Sequence, residues 1–212
     1  MPSSVYAAGA SLTLSPATGT FNKGCSVSVD ILLDTGGTAT DGTDVILNYD
    51  PTRFSVQKII SGTIYADYPG NSFDAQNGRI TVSGLSSVST AFTGQGTLAT
   101  IDLMVLDAAP TGATQITFDF DTNDRAKTTD SNVVERTTVV DVLNEVTNGS
   151  YTVGTGSCST TRQIGGPDDT TPIPTKVATT PLPDAADFQT TFIIAAAGSI
   201  LIILGILGLV LL

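Results

Sequence analysis

The chain has no histidine and no tryptophan, and only two cysteines and nine basic residues among its 212. Without histidine it cannot assemble a Ser-His-Asp or Cys-His catalytic centre, a histidine-ligated haem or most zinc sites. Without tryptophan it lacks the largest sugar-stacking ring. Nine basic against 20 acidic residues leave a net charge of −11. That excludes a nucleic-acid partner, because phosphates require a basic face. Leu-rich helical patterning is scarce as well. In its place stand 34 threonines with abundant Val and Gly, the composition of a β protein.

Period-two alternation marks the strands. Val27, Val29, Ile31 and Leu33 alternate with Ser26, Ser28, Asp30 and Leu32. Val45, Leu47 and Tyr49 alternate with Asp44, Ile46 and Asn48, and Ile80 and Val82 with Arg79, Thr81 and Ser83. Ala99, Ile101, Leu103 and Val105 alternate with Leu98, Thr100, Asp102 and Met104, and Ile116 and Phe118 with Gln115, Thr117 and Asp119. Leu12 and Leu14 open the set; Tyr151 and Val153 close it. Each run buries one face. Turn signals separate them, among them Asp50-Pro51, Asn77-Gly78, Pro110-Thr-Gly112 and Asn148-Gly149. The expectation is an all-β sandwich of eight or nine strands over residues 8–156, long enough for one core.

Cys25 and Cys158 bracket this domain, and their spacing excludes a CxxC metal or redox site. Two readings stand, a pair of buried free thiols or a disulfide. If the last strand runs parallel to the first, both cysteines emerge at one end of the sandwich, which favours the bridge. A bridge in turn requires an oxidising compartment.

Several strings, in order, resemble the cohesin domain family. They are Asp44-Val-Ile-Leu-Asn-Tyr49-Asp50-Pro51 with Phe54-Ser-Val56, Ser72-Phe73-Asp74 before Gly78-Arg-Ile-Thr-Val82, Gly94-Gln-Gly-Thr-Leu-Ala99-Thr-Ile101, Ile116-Thr-Phe118-Asp119, and Asn148-Gly149-Ser-Tyr-Thr-Val153. The resemblance covers residues 10–154. It implies a nine-stranded jelly-roll sandwich that binds dockerin modules and so helps assemble polysaccharide-degrading enzymes on cell surfaces. It places the partner face on the sheet of the third, fifth, sixth and eighth strands. Asp44 and Asp74 fall where the family puts acids that accept dockerin hydrogen bonds. Strand parity adds Asn48 and an exposed Ile46 to that face. The chain departs at Phe120, aromatic where some cohesins carry an acid.

Two other chemistries are open. Asp119, Asp121, Asn123 and Asp130 occupy positions 1, 3, 5 and 12 of a calcium loop, although position 6, normally Gly, is Asp124; a plain acidic surface loop, partly neutralised by Arg125 and Lys127, is the alternative. Otherwise no cofactor is expected. Tyr65, Tyr68 and Phe73 cluster in a Gly/Pro loop and offer a carbohydrate-stacking platform, the feature of a carbohydrate-binding module. A structural or adhesive surface protein is the remaining alternative. Among 20 acids no motif singles out a catalytic pair, so an enzyme is not expected. The sequon Asn148-Gly149-Ser150 fits a strand-leading turn without any sugar.

Residues 159–187 hold five of the ten prolines, at 167, 172, 174, 181 and 183, and show no apolar periodicity. They read as a disordered, semi-stiff stalk. Residues 192–212 are 21 apolar or small residues without a charge. At 1.5 Å per residue they span roughly 31 Å, the thickness of a bilayer core. A plain transmembrane anchor fits them best. A lipid-anchor signal wants a longer polar spacer, and a sortase signal resembles Leu182-Pro183-Asp184-Ala185-Ala186 only in part. Ala8-Gly9-Ala10 looks like a signal-peptidase site whose basic and apolar regions are missing. The expected arrangement is a single-pass membrane protein, leader upstream, domain on the extracytoplasmic side.

Overall fold

A computed structural model describes residues 9–158; the stalk segment 159–187 and the apolar run 192–212 lie outside the described residues. Among the described residues there is no helix. Twelve strands follow one another: β1 (Ala10–Ser15), β2 (Thr18–Asn22), β3 (Ser26–Asp34), β4 (Thr40–Asn48), β5 (Phe54–Ser61), β6 (Ser72–Asp74), β7 (Arg79–Leu85), β8 (Gln95–Val105), β9 (Gly112–Phe118), β10 (Asn132–Glu135), β11 (Leu143–Thr147) and β12 (Gly149–Gly154).

They form two mixed sheets. One has five strands in the order β11-β1-β3-β8-β5. The other has seven, β2-β12-β9-β4-β7-β6, with β10 also paired to β4. Parallel pairing occurs between β1 and β11 and between β12 and β2. The facing sides close on one apolar core, built from alternate residues of each strand: Leu12 and Leu14, Val29, Ile31 and Leu33, Val45 and Leu47, Ile80 and Val82, Ile101 and Leu103, Ile116, Tyr151 and Val153. The period-two pattern produces this directly, since a pleated strand sends successive side chains to opposite faces.

Twelve strands replace the expected eight or nine for two local reasons. The first run splits at Pro16, where the chain passes from the five-stranded sheet (β1) to the seven-stranded one (β2); the Tyr151 hydroxyl donates to the Pro16 carbonyl at 2.8 Å and fixes the crossing. Strands β10 and β11 come from the segment between Asp119 and Asn148, which has no long alternation, yet Val133 and Leu143 are fully buried. The expected outward position of Leu98 is also corrected. A bulge pairs Ile31 with Ala99 and Leu32 with Thr97, leaving Leu98 as the extra residue, and both Leu98 and Ala99 enter the core.

Cys25 and Cys158 are joined by a disulfide with a Cα–Cα separation of 5.3 Å. Around it the chain exit is tied down further. Asn22 Nδ2 donates to the Ser157 carbonyl at 2.9 Å, and the Gly156 N–H donates to Asn22 Oδ1 at 3.0 Å.

Candidate functional site

The outer face of the seven-stranded sheet is built in cross-strand rows, because directly paired residues of an antiparallel sheet share a face. Asp44 on β4 lies opposite Ser83 on β7 and Asn132 on β10. Ile46 lies opposite Thr81, which in turn faces Ser72 on β6. Asn48 lies opposite Arg79 and Thr117, and Arg79 opposite Asp74. Gly42 faces Leu85 at one end, and the Leu85 side chain lies over it. Asp44, Ile46, Asn48 and Asp74 are thus brought onto one face.

Their environments differ. The Ser83 hydroxyl donates to Asp44 Oδ1 at 2.5 Å, leaving Oδ2 free to accept. Asn48 is exposed. Asp74 is exposed but engaged: it accepts the backbone N–H groups of Gln76 and Asn77 and the Asn77 amide, capping the β6–β7 turn. Those bonds, led by the Asn77 side chain, hold its carboxyl below the ordinary value. Ile46 is half-buried, not exposed as parity alone suggests. An ion pair spans β4 near this level, Arg79 Nη1 to Asp119 Oδ2 at 3.5 Å.

Asp119 belongs to an excursion that the sequence leaves open between a calcium loop and a plain acidic surface loop. Strands β9 and β10 pair with β4 in succession, Phe118 opposite Leu47 and Asn132 opposite Asp44. They act as one strand interrupted by residues 119–131. The stem is closed by Ser131 N–H to the Asp119 carbonyl at 2.8 Å and Asp119 N–H to the Ile46 carbonyl at 2.8 Å. Inside the loop Lys127 Nζ lies 3.6 Å from both Asp119 and Asp130. The Asp121 N–H donates to buried Asp130, and Asp121 itself accepts the Asn123 N–H. A lysine ammonium therefore sits between the carboxylates that the calcium reading needed as ligands. Among the described residues no group of three or more His, Cys, Asp or Glu side chains is disposed to hold a metal. Phe120, the departure noted above, packs half-buried against the core.

The stacking platform does not form. Tyr65 is a core residue at 6% exposure, its hydroxyl shared between Thr40 Oγ1 at 2.9 Å and Thr43 Oγ1 at 2.8 Å. Burial raises its pKa. Tyr68 packs edge-on against Tyr65 at 6.5 Å and is half-buried. Of the three, Phe73 alone is exposed, and it makes no ring contact with another described residue. A cleft of about 420 Å³ on the outer face of the other sheet is lined by Ser11, Thr13, Leu32, Asp34, Gln95 and Thr97, with no ring to stack on a sugar.

Sequence reasoning missed Asn132. It sits on the candidate face beside Asp44, is 7% exposed, and its Oδ1 has no partner. Only the short run Asn132-Val-Val-Glu135 could have signalled a strand there, and four residues carry no decisive period.

The face offers hydroxyl, amide and carboxylate groups on a rigid sheet and no paired nucleophile and base. It is equipped for recognition by hydrogen bonding, not for catalysis. No curated protein sequence matches the chain. Several solved structures share its fold. The solution structure of CaCohA2 from Clostridium acetobutylicum is 21% identical, with a TM-score of 0.58, over 73% of this chain and 96% of that one. The seventh ScaB type I cohesin of Pseudobacteroides cellulosolvens is 19% identical, with a TM-score of 0.56, over 70% and 94%. The third cohesin of ScaC, solved in complex with the ScaB dockerin of Acetivibrio cellulolyticus, is 19% identical, with a TM-score of 0.55, over 68% and 98%. Residues 11–153 match the cohesin domain, a non-enzymatic protein-interaction module. This chain belongs to the cohesin domain family.

Proposed function

We propose that the chain is a membrane-anchored cell-surface cohesin that presents the outer face of β9, β4, β7 and β6 to a dockerin-like protein partner. The observation that carries this reading is the row Asn132–Asp44–Ser83, a carboxylate oriented by one hydroxyl with its second oxygen free, on a rigid sheet flanked by Asn48 and Thr81. Such preorganised acceptors bind with little ordering cost. The structurally related ScaC cohesin is seen bound to a dockerin. The 21-residue uncharged run at 192–212 supports the anchor, and the Pro/Thr-rich 159–187 the stalk. The disulfide supports an extracytoplasmic domain. A role in polysaccharide degradation would come through enzymes carried by the partner.

The test is binding of the full-length chain, held in detergent, to a panel of dockerin modules by biolayer interferometry. Saturable binding is expected, weakened roughly tenfold to a hundredfold by Asp44→Ala. Absence of binding to every dockerin, or binding indifferent to Asp44→Ala, would overturn the assignment of this face. Alkaline extraction of membranes tests the anchor: the chain should stay in the pellet and leave it when 192–212 is deleted.

A further inference from the structure

We propose that the end of the sandwich where β4 begins is a second, apolar contact for the same dockerin-like partner. This rests on the reading just given. Six large hydrophobic residues are exposed among the described residues, and four of them, Leu85, Val88, Val139 and Val140, belong to this end. Val88 is fully exposed and Val139 is 74% exposed. Scattered single apolar residues are ordinary, but a cluster of this kind marks a contact surface.

Two turns carry the valines, and both are held in place. The Arg136 guanidinium donates from Nη2 to the Ser87 and Val88 carbonyls, and from Nε to Asp41 at 2.5 Å, so it ties the turn after β7 to the tip of the β10 hairpin. Glu135 accepts the N–H groups of Thr137 and Thr138. The Val139 N–H returns to the Glu135 carbonyl at 3.0 Å. Val139 adopts φ 57°, the one non-glycine positive φ among the described residues. A β-branched side chain is costly there. The fold thus holds an exposed valine in a strained backbone that glycine would occupy freely.

The occupant follows from charge, continuity and area. Arg136 and Asp41 pair with each other, while Glu135 stays ionised within its own turn and exposed Asp67 is bridged to Leu85, so the apolar residues are rimmed by acidic charge. The tip fits an apolar segment that carries no acid of its own. Leu85 joins the tip to the candidate face: it opposes Gly42, one outward position along β4 from Asp44. The face alone is small. From Gly42 to Asn48 is six residues, roughly 20 Å at strand rise, and four strands span roughly 14 Å, or roughly 300 Å² in plan. A stable complex covers about 800 Å² on each partner. A partner seated on Asp44 must therefore overhang, and the tip is the apolar surface it meets. The chain exit does not obstruct it. Beyond Asn48 the sheet continues through Thr117 to Gly112, which faces Val153, next to the disulfide. That end lies roughly 35 Å from the tip along the strands.

The test uses the full-length chain in detergent and the dockerin that binds it. Val88→Ser with Val139→Gly removes the apolar tip. Because Val88 is fully exposed and Val139→Gly relieves strain, the thermal midpoint should hold or rise. Affinity should fall roughly tenfold, mostly through faster dissociation. Ile60→Ser, an exposed apolar residue on β5, should leave it unchanged. Unchanged affinity in the valine variant, with Asp44→Ala still weakening, overturns the tip and leaves the face standing. Self-association of the free chain that the valine variant abolishes would assign the tip to a second copy and overturn it. Failure of the wild-type chain to bind any dockerin overturns both.

Discussion

Breaking the Cys25–Cys158 bridge tests what holds the two ends of the domain together. The bridge spans 133 residues of sequence. In the chain-entropy account a loop of this length removes about 5 kcal/mol of denatured-state freedom at 25 °C. For the 150 residues from 9 to 158, the unfolding entropy is about 0.3 kcal/mol/K, so losing the bridge should lower the midpoint by about 15 °C. The assay compares thermal and urea unfolding of oxidised chain, phosphine-reduced chain and the Cys25→Ser, Cys158→Ser variant. Reduced wild type is the cleaner comparison, because Cys25 is only 5% exposed and serine adds a hydroxyl there. The urea slope should also steepen on reduction, since an uncrosslinked denatured chain exposes more surface. A fall below about 5 °C with no change in slope would refute the reasoning. It would mean the denatured ensemble keeps these ends together without the bridge.

Three further outcomes follow from the structure. Tyr65→Phe removes the hydroxyl shared by buried Thr40 and Thr43; Thr40 keeps its bond to the Phe92 carbonyl but Thr43 loses its partner, so urea denaturation should show a loss of about 1–3 kcal/mol. Asp50, Asp74 and Glu135 are held below the ordinary carboxylate value, first by side-chain hydrogen bonds from Thr52, Asn77 and Thr138 respectively. Their folded pKa values lie below the unfolded ones, so their stabilisation is complete above about pH 4 and is lost as pH falls through the folded values; midpoints measured from about pH 6 to about pH 2 should decline less steeply in Asp50→Asn, Asp74→Asn, Glu135→Gln. Finally, 20 acids against nine bases repel one another, and raising NaCl from about 0.1 M to about 1 M shortens the screening length from about 10 to about 3 Å. Calorimetry should show a midpoint that rises with salt; a fall would mean that the few ion pairs outweigh the surplus charge.

The two sheets were legible because their strands carry long alternations with one buried face. Val29-Ile31-Leu33 and Val45-Leu47 enter the core as the period requires. The same rule found the outward side of β4, and with it Asp44 and Asn48. It failed where pairing departs from regular register. Leu98 turned inward at a bulge that no local pattern announces. Strands β10 and β11 are four and five residues long and owe their place to partners far away in sequence, β4 and β1.

The acidic loop shows why spacing alone does not make a cation site. Asp119, Asp121, Asn123 and Asp130 have the intervals of a cation loop, but an interval fixes ligands only if the backbone between them curls around a common centre. Here both ends of the segment are committed to the edge of β4: Asp119 through its N–H and Ser131 through its hydroxyl, each bonded to Ile46. That stem turns Asp119 toward Arg79, two strands away, and leaves Lys127 to meet the inner carboxylates. On this side Ile46 is half-buried and Asn132 nearly buried. The candidate face is therefore narrower on its β9 side than strand parity implies. On the β7 side Ser83 and Thr81 pair directly with Asp44 and Ile46 and Leu85 is exposed, so a partner seated on Asp44 covers that side first. Substitutions at Thr81 should then weaken binding more than substitutions at Thr117, although the two residues are alike in type and share the sheet face.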